Sequence, residues 1–376
     1  MTHIERYNAI MNYQTPDRMP VLHFGYWSDV VSKWVREGHI TDEEANGCWD
    51  GSEKETAISS RLGFDYNYFN VAFPKSGMSS LSYLFEPKSM GKTPDGFDLF
   101  LNSIGCVEMH REGAGSIPAE VDHILKDRES WEKEYLPRMI YSKESYINTD
   151  ALNHLKSLQN EREIPLGIYC GSMYGDLRNF MGVENISYLY ADDEDLFAEM
   201  LNHVGNLWFN IVRDTLETGL KFEFAHFWED ICFKNGPLVA PDVFREYCLP
   251  QYEKICALVK SYGINNISLD CDGLIDSLIP IWIDGGINTM FPIEVGTWDA
   301  NIAPWREKYG KTIKGVGGMR KHVFEGDYSD VDKEIERLKP LIALGGYIPC
   351  PDHRIPPESK WETIQYYCDK MKNLKI

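Results

Sequence analysis

The chain has 376 residues, a formal net charge of −20 at pH 7 and nine cysteines. Its length suits one large α/β barrel with insertions, or two ordinary domains. The acidic charge disfavours nucleic acid and anionic membranes as partners, because phosphate binding needs a basic surface. The cysteines form no CxxC pair, which disfavours a zinc ribbon or disulfide framework and favours a reducing compartment. No apolar run is long enough to cross a bilayer, so we expect a soluble cytoplasmic protein.

The first third of the chain predicts short elements around a loop-rich insertion. A helix is expected over residues 3–12, a strand over 19–27 and helix-favouring, charged sequence over 28–62. The aromatic segment DYNYFNVAF, at 65–73, predicts another strand. The Gly-, Ser- and Pro-rich sequence from 74 to 119 predicts hairpins and loops.

From about residue 122, helical segments alternate with short apolar strands. The predicted strands are 165–170, 221–227, 266–269, 287–291, 312–316 and 346–348. Such alternation implies a parallel sheet, and this many units without a linker favour a closed barrel over two domains. We therefore predict one α/β domain over residues 1–376, a (β/α)8 TIM barrel with an N-terminal extension and insertion over about 1–120.

The segment 265–294 is the clearest βαβ unit of the chain. Its first strand ends in Asp270-Cys271-Asp272-Gly273, and its second strand ends just before Glu294. Ligands of barrels bind at the carboxyl ends of strands, so these carboxylates are expected on the functional face. Residues two apart on a strand point the same way, so Asp270 and Asp272 can converge on one ion while Cys271 faces away. The alternative is a helix N-terminus that carries carboxylates.

A second candidate site is Trp228-Glu229-Asp230, which follows the strand 221–227. A glutamate at a strand's carboxyl end, beside an aromatic ring, can be a general acid with a raised pKa or a metal ligand. The alternative is a structural role, with Asp230 capping the next helix.

A third candidate is His353, within the segment PCPDHRIPP after the last predicted strand. Its prolines leave the loop little freedom, which suits a metal ligand or an acid/base group that must be held in place.

Five segments together resemble the uroporphyrinogen decarboxylase superfamily: WEDICFKNGPLVAPDVFREYCLPQY, the DCDG turn, INTMFPIE, GVGGMRK and GGYIPCPDHRIPP. That superfamily comprises single (β/α)8 barrels, both decarboxylases and zinc- and corrinoid-dependent methyltransferases. The resemblance is good over about 160–370 and loose before it. The decarboxylases hold their porphyrinogen with N-terminal arginines and an aspartate, whereas segment 20–27 has no arginine and segment 68–71 no aspartate. An acidic protein without these cations would repel an octacarboxylate, which disfavours that branch.

The methyltransferase branch binds zinc through a His-x-Cys-Gly turn and a later cysteine. Aligned by the glycine, Asp270 and Asp272 occupy the His and Cys positions, and His353 falls at or near the last cysteine. The resemblance thus implies a divalent-metal site, zinc by analogy, at Asp270, Asp272 and His353, with Glu294 as a further candidate ligand. The oxygen ligands leave Mn²⁺, Fe²⁺ and Mg²⁺ open. Such a hard site suits an ether or alcohol oxygen better than a thiol.

The resemblance and this ligand set predict an O-demethylase component. Such a methyltransferase moves a methyl group from a small methoxylated, preferably aromatic, substrate to the cobalt of a corrinoid. No cobalamin motif (Asp-x-His-x-x-Gly) is present, so a separate corrinoid protein is the expected partner. Glu229, Asp272 and His353 are the expected catalytic groups, because ether cleavage leaves charge on the oxygen. The residues expected to shape the substrate pocket are His23, Tyr26, Trp27, Tyr66, Tyr68 and Trp228.

Two other functions stay open on the sequence. One is a metal-independent decarboxylase or lyase for a small carboxylic acid, with His353 and Asp272 as acid and base. The other is a non-catalytic barrel that docks a corrinoid protein. A homodimer is also left open.

Overall fold

The structure is a computed structural model that describes residues 1–75, 81, 83–110 and 118–375. Parts of the predicted insertion, at 76–80, 82 and 111–117, therefore lie outside the described residues, as does residue 376.

Parallel strands dominate the fold. In chain order the strands are β1 (Leu22–His23), β2 (Tyr66–Asn67), β3 (Val71–Ala72), β4 (Lys88–Lys92), β5 (Asp98–Leu101), β6 (Cys106–His110), β7 (Ala119–His123), β8 (Gly167–Tyr169), β9 (Phe224–Trp228), β10 (Cys232–Phe233), β11 (Gly236–Pro237), β12 (Ile267–Asp270), β13 (Thr289–Ile293), β14 (Lys314–Met319) and β15 (Tyr347–Pro351). The main sheet has the order β15-β14-β13-β12-β9-β8-β3, and all its pairs are parallel. The prediction of a parallel α/β sheet is confirmed.

The two edges of this sheet approach each other through β1. This strand pairs in parallel with β2, which lies just before β3 in the chain. Beyond β15, Ile355 donates its N–H to the carbonyl of Gly25 (3.1 Å), and Trp27 donates its N–H to the carbonyl of Ile355 (3.2 Å). This arrangement is consistent with a TIM barrel, although ladder pairing among the described strands does not close the ring.

Helices connect the strands. They are α1 (His3–Met11), α2 (Ser28–Arg36), α3 (Asp42–Ala45), α4 (Glu53–Leu62), α5 (Arg128–Ser130), α6 (Lys143–Tyr146), α7 (Thr149–Leu158), α8 (Tyr174–Met181), α9 (Val183–Asp192), α10 (Glu194–Glu217), α11 (Pro241–Val243), α12 (Leu249–Ser261), α13 (Ile279–Asp284), α14 (Val295–Trp298), α15 (Ile302–Tyr309), α16 (Tyr328–Ile342) and α17 (Trp361–Lys372). Shorter 3₁₀ or π segments are Trp131–Tyr135, Leu136–Arg138, Phe244–Cys248, Gly310–Thr312 and Lys321–Phe324. Among the described helices, none has the length and apolar character to span a membrane.

The main-sheet strands from β8 onward match the predicted ones, each beginning one to three residues later than predicted, whereas the short hairpin of β10 and β11 was not predicted. The N-terminal predictions are coarser. The helix-favouring region 28–62 divides into α2, α3 and α4, and the strand predicted over 65–73 splits into β2 and β3. The second split has a local cause, because the side-chain oxygen of Asn67 accepts the N–H of Phe69 (2.8 Å) and turns the chain between the two strands.

The insertion forms a four-stranded antiparallel sheet with the order β4-β5-β6-β7. It therefore extends to residue 123, slightly beyond the predicted boundary at 119. The hairpins expected from the Gly- and Ser-rich sequence are present in its described part. This inserted sheet packs beside α8, and it supplies one wall of the cavity described below.

Candidate functional site

Acidic and imidazole side chains gather at the carboxyl ends of neighbouring strands. Asp270 ends β12, and three other residues come just after strands: Glu229 after β9, Glu294 after β13 and His353 after β15. Because β9, β12, β13, β14 and β15 pair in parallel, these carboxyl ends all lie at the same end of the sheet.

Asp272 and His353 form the accessible pair of this group. The Oδ2 of Asp272 lies 3.4 Å from the Nε2 of His353, and their side chains are 34% and 21% exposed. The imidazole ring stacks on Trp27, with centroids 5.5 Å apart and planes 14° apart, and meets the ring of Phe24 edge-on at 5.6 Å. Its Nδ1 is buried without a hydrogen-bond partner. Aromatic packing therefore fixes the ring, and only its Nε2 has a polar neighbour.

The loop that carries His353 is pinned by the residue before it. Asp352 is buried, and its carboxylate accepts the N–H of Gly296 (2.6 Å) and the N–H of Lys321 (3.1 Å). On the other side of His353, the guanidinium of Arg354 pairs with Asp50 (Nη1 to Oδ1, 3.3 Å). The carboxylates of Asp352 and Asp50 thus hold this loop in addition to the prolines, from which its rigidity was predicted.

Asp270 lies deeper than Asp272. Burial raises its pKa well above the usual range, the carboxylates of Asp272 and Asp230 add to this shift, and Arg354 opposes it. Beneath it, the Nε2 of His226 lies 4.0 Å from the Oδ2 of Asp270 and has no hydrogen-bond partner. Burial lowers the pKa of His226 to about 3, so this imidazole is neutral.

These residues fit a divalent cation in their chemistry. Neighbouring carboxylates and imidazole nitrogens are typical donors for Zn²⁺ or a harder divalent ion, and the charge of Asp272 raises the pKa of Asp270. However, the side chains of Asp270, Asp272 and His353 do not hold three ligand atoms within 4.8 Å of one another. Among the described residues, only Cys106, Glu120 and His123 meet that limit.

Glu294 supports the acidic turn from below. Its Oε2 accepts the N–H of Gly273 (2.7 Å), and its Oε1 accepts the hydroxyl of Thr297. Burial raises the pKa of Glu294, and the charge of Asp272 raises it further. The Oε2 of Glu294 therefore holds the turn after β12, and its Oε1 is engaged by α14. Cys271, between the two aspartates, is buried and its Sγ accepts the N–H of Ile231 (3.3 Å).

Glu229 is completely buried. Its carboxylate accepts the hydroxyl of Ser172 (3.1 Å), the N–H groups of Met173 (2.7 Å) and Gly175 (2.6 Å), and the hydroxyl of Tyr252. Burial raises its pKa, and the hydrogen bonds oppose the shift. These contacts fix the first turn of α8, so they favour the structural role that the sequence left open.

Asp230, the neighbour of Glu229, does not cap a regular helix. Its backbone is in the left-handed region (φ +48°), and its Oδ2 accepts from Arg178 (3.3 Å). That guanidinium also lies over the ring of Trp228, 5.5 Å from its centroid.

We predict that Glu229→Gln lowers the free energy of unfolding by about 2–4 kcal/mol, because the amide would direct N–H donors at the donors of α8. Chemical denaturation measures the change. Glu246→Gln, at an exposed position, is the matched control and should stay within about 0.5 kcal/mol of wild type. Unchanged stability combined with lost turnover would instead support an acid role for Glu229.

A cavity of about 570 Å³ has the inserted sheet as one wall. Asp270, Asp272, Glu294 and His353 are not among its lining residues. Its lining residues come from the strand ends, from α8, from the insertion and from the loops around them: Asp50, Phe69, Phe73, Leu81, Asn102, Ser103, Ile104, Glu108, Tyr169, Asp176, Asn179, Phe180, Trp228 and Arg354. Aromatic side chains form much of this wall, which suits a flat apolar ligand.

The residues expected to shape the substrate pocket are mostly elsewhere. Of the six, Trp228 lines the cavity and Trp27 contacts His353. The other four are buried, and they are His23, Tyr26, Tyr66 and Tyr68. These four do not line the 570 Å³ cavity, and their role in substrate binding stays a prediction.

Asp176 is a cavity residue that the sequence did not single out. It is 5% exposed, and its Oδ2 accepts the indole N–H of Trp208 (2.7 Å). Burial raises the pKa of Asp176 to about 8, so the carboxyl is largely protonated at neutral pH. No local signal marks it, since an aspartate in the first turn of a helix is ordinarily a solvated, dipole-complementing residue.

We predict that Asp176→Asn changes the pH dependence of stability. The folded protein keeps this proton up to about pH 8, whereas the unfolded chain loses it above about pH 4, so wild-type stability should fall as the pH rises between those values. The amide oxygen can still accept from Trp208. From pH 5 to pH 8, denaturation should show the variant gaining about 2–4 kcal/mol relative to wild type. If the difference in unfolding free energy between variant and wild type were the same at pH 5 and pH 8, Asp176 would not be a buried acid with a raised pKa. Asp192→Asn, at the exposed end of α9, is the control.

Comparisons with known proteins agree with this fold. The family model described as uroporphyrinogen decarboxylase (URO-D) matches residues 101–374. A solved methyltransferase from Methanosarcina mazei aligns with 99% of this chain and 98% of its own, at 13% identity and a TM-score of 0.61. A B12-independent methionine synthase from Shewanella sp. W3-18-1 covers 58% of this chain and 65% of its own, at 8% identity and a TM-score of 0.38. No curated protein matches the chain significantly. The first structure shares the fold, and the second is too dissimilar to bear on it.

Proposed function

Because the chain belongs to the uroporphyrinogen decarboxylase family, we propose that it is a methyltransferase, the O-demethylase component of a corrinoid system. It takes a methyl group from a small methoxylated aromatic compound and passes it to the cobalt of a separate corrinoid protein. The observation that carries this proposal is the aromatic cavity at the strand ends, which neither Asp272 nor His353 lines directly. Arg354, which follows His353, and Trp228, at the end of β9, both line that cavity. The solved methyltransferase of the same fold supports this reaction class.

The charges of the cavity support a neutral aromatic substrate over a porphyrinogen. Arg354 is the one basic residue among the lining residues given above, and Asp50 already pairs with its guanidinium. Glu108 adds a further acidic group to the wall. A ligand with eight carboxylates would lack counter-charges here, whereas a methoxylated ring can stack on the aromatic side chains.

The chemistry requires help at the ether oxygen. The bond between the methyl carbon and oxygen breaks, its electron pair stays on the oxygen, and the oxygen must then gain a proton or a positive charge. The proton can be held at the Nε2 of His353, where the carboxylate of Asp272 stabilises it. A divalent ion held by Asp270, Asp272 and His353 would supply Lewis acidity to the same oxygen. Glu229 contributes by positioning α8, whose Asp176, Asn179 and Phe180 line the cavity.

The methyl acceptor must come from outside the chain. Cys271 is the thiol within the acidic turn, between Asp270 and Asp272. Burial raises its pKa well above the usual range, so it remains a protonated, inaccessible thiol. Reduced corrinoid is a nucleophile strong enough to attack a methyl carbon whose leaving group is poor. The open carboxyl end of the sheet is where a partner could present it.

We predict that turnover requires reduced corrinoid, supplied on a protein or as free cob(I)alamin at high concentration. The purified chain would be tested with a panel of methoxylated aromatics, and the demethylated phenol measured by chromatography. Substrate consumption that is equally fast without corrinoid would overturn the proposal. Release of CO₂ from a small carboxylic acid under those conditions would instead establish the decarboxylase alternative.

We also predict that His353→Ala lowers kcat by roughly 10²-fold or more, because the variant removes the proton donor or metal ligand at the leaving oxygen. His154→Ala, at an exposed position on α7, should retain wild-type turnover. Folding of both variants is checked by thermal denaturation. A folded His353→Ala protein with near-normal kcat would remove His353 from the mechanism.

A further inference from the structure

The inserted sheet carries a second cluster of metal-binding side chains. Cys106, Glu120 and His123 each place one ligand atom so that all three atoms lie within 4.8 Å of one another. Cys106 begins β6 and pairs directly with His123 at the end of β7. Directly opposed residues of antiparallel strands project on the same face of a sheet, so these two side chains meet.

A change of strand register brings Glu120 to the same face. Glu120 and His123 are three residues apart, and in a regular strand this odd spacing would direct them to opposite faces. The pairing shifts between Val107 and Glu108, so that Glu108 lies opposite Glu120. Glu108 shares the face of Cys106, and Glu120 therefore joins it.

His123 provides an independent sign of a missing ligand. It is 9% exposed, and its Nε2 is buried without a hydrogen-bond partner. The nearest carboxylate oxygen, on Glu120, is 3.5 Å away, where a hydrogen bond is weak. The ring is held from behind by Gly182, where a Cβ would come within 2.6 Å of its Cε1. A buried nitrogen fixed in this way calls for a closer partner than the described residues supply.

We propose that Cys106, Glu120 and His123 bind one zinc-like divalent metal ion in the inserted sheet. Thiolate, imidazole and carboxylate are all common zinc ligands, and three protein ligands leave one coordination position for water. The thiolate and the carboxylate balance the two positive charges. Burial raises the pKa of Cys106 to about 12, so the ion must displace the thiol proton to solvent as it binds.

The ion would fasten one wall of the substrate cavity. Glu108, on the same face of β6, lines that cavity, and the ring of His123 packs against Gly182 directly after α8. Binding would thus hold β6 and β7 together next to α8. This site differs from the one near Asp272 in a measurable way, because it contains a thiolate and the other donor set does not.

Cobalt substitution tests the site. The metal-free full chain would be titrated with Co²⁺, and we expect one equivalent to produce the near-ultraviolet band of thiolate-to-Co²⁺ charge transfer. Cys106→Ser should abolish this band, and His123→Gln should weaken Co²⁺ binding more than tenfold at this site. Cys48→Ser, which removes a thiol outside the insertion, should leave the band and the Co²⁺ affinity unchanged. His353→Ala should also leave the band intact, so failure here is distinct from failure of the proposed methyl transfer.

Stability provides a second readout that does not depend on the cobalt spectrum. Zn²⁺ should raise the Tm of the wild type and of His353→Ala, and raise it much less in His123→Gln. If Cys106→Ser does not fold, His123→Gln decides the outcome. Absence of the band from wild-type protein, its persistence in a folded Cys106→Ser variant, or an unchanged Co²⁺ affinity in a folded His123→Gln variant would overturn the proposed site.

Discussion

One buried carboxylate joins the elements that form the cavity. Glu229, just after β9, accepts N–H groups from the start of α8 and the hydroxyl of Tyr252 on α12. Gly175 must lack a side chain here, because a Cβ would lie 2.2 Å from the carbonyl oxygen of Glu229. A carboxylate out of reach of water is costly unless donors surround it. The donors that stabilise it also fix α8 against β9, and the cavity residues of α8 depend on that fixed position.

Above this anchor, negative charge is concentrated without full compensation. The carboxylates of Asp272 and Asp230 both raise the pKa of Asp270. The nearby guanidinium groups are already engaged, since Arg178 pairs with Asp230 and Arg354 pairs with Asp50. The uncompensated negative charge of these carboxylates favours the binding of positive charge nearby, either as a cation or as a proton on the imidazole beside Asp272. In the proposed reaction, either the cation or the protonated imidazole would stabilise the ether oxygen as the bond to the methyl group breaks.

The sequence predicted the parts of this structure that local patterns determine. The main-sheet strands from β8 onward follow from short apolar runs between helices, and the approach of His353 to Asp272 follows from strands whose carboxyl ends lie together. The sequence did not reveal the burial of Asp176, which depends on Trp208 and on packing around α8. The convergence of Glu120 with His123 was equally hidden, because their spacing is wrong for a regular strand and only the shifted register corrects it.

The interior positions of His23, Tyr66 and Tyr68 escaped prediction for a related reason. Aromatic strands near the N-terminus supply either a pocket or a core, and the choice depends on which neighbouring strand covers them. Here β1 packs beside β15 and pairs with β2, so their rings face the interior.

The cavity is built from two parts of the chain that differ in how readily they accept sequence change. Its floor belongs to the parallel sheet, which the whole fold requires, whereas one wall belongs to the inserted strands between β3 and β8. Loops and insertions accept sequence change far more readily than a packed sheet does. Relatives could therefore acquire new substrate preferences by exchanging this wall, while the charged groups at the strand ends stay the same.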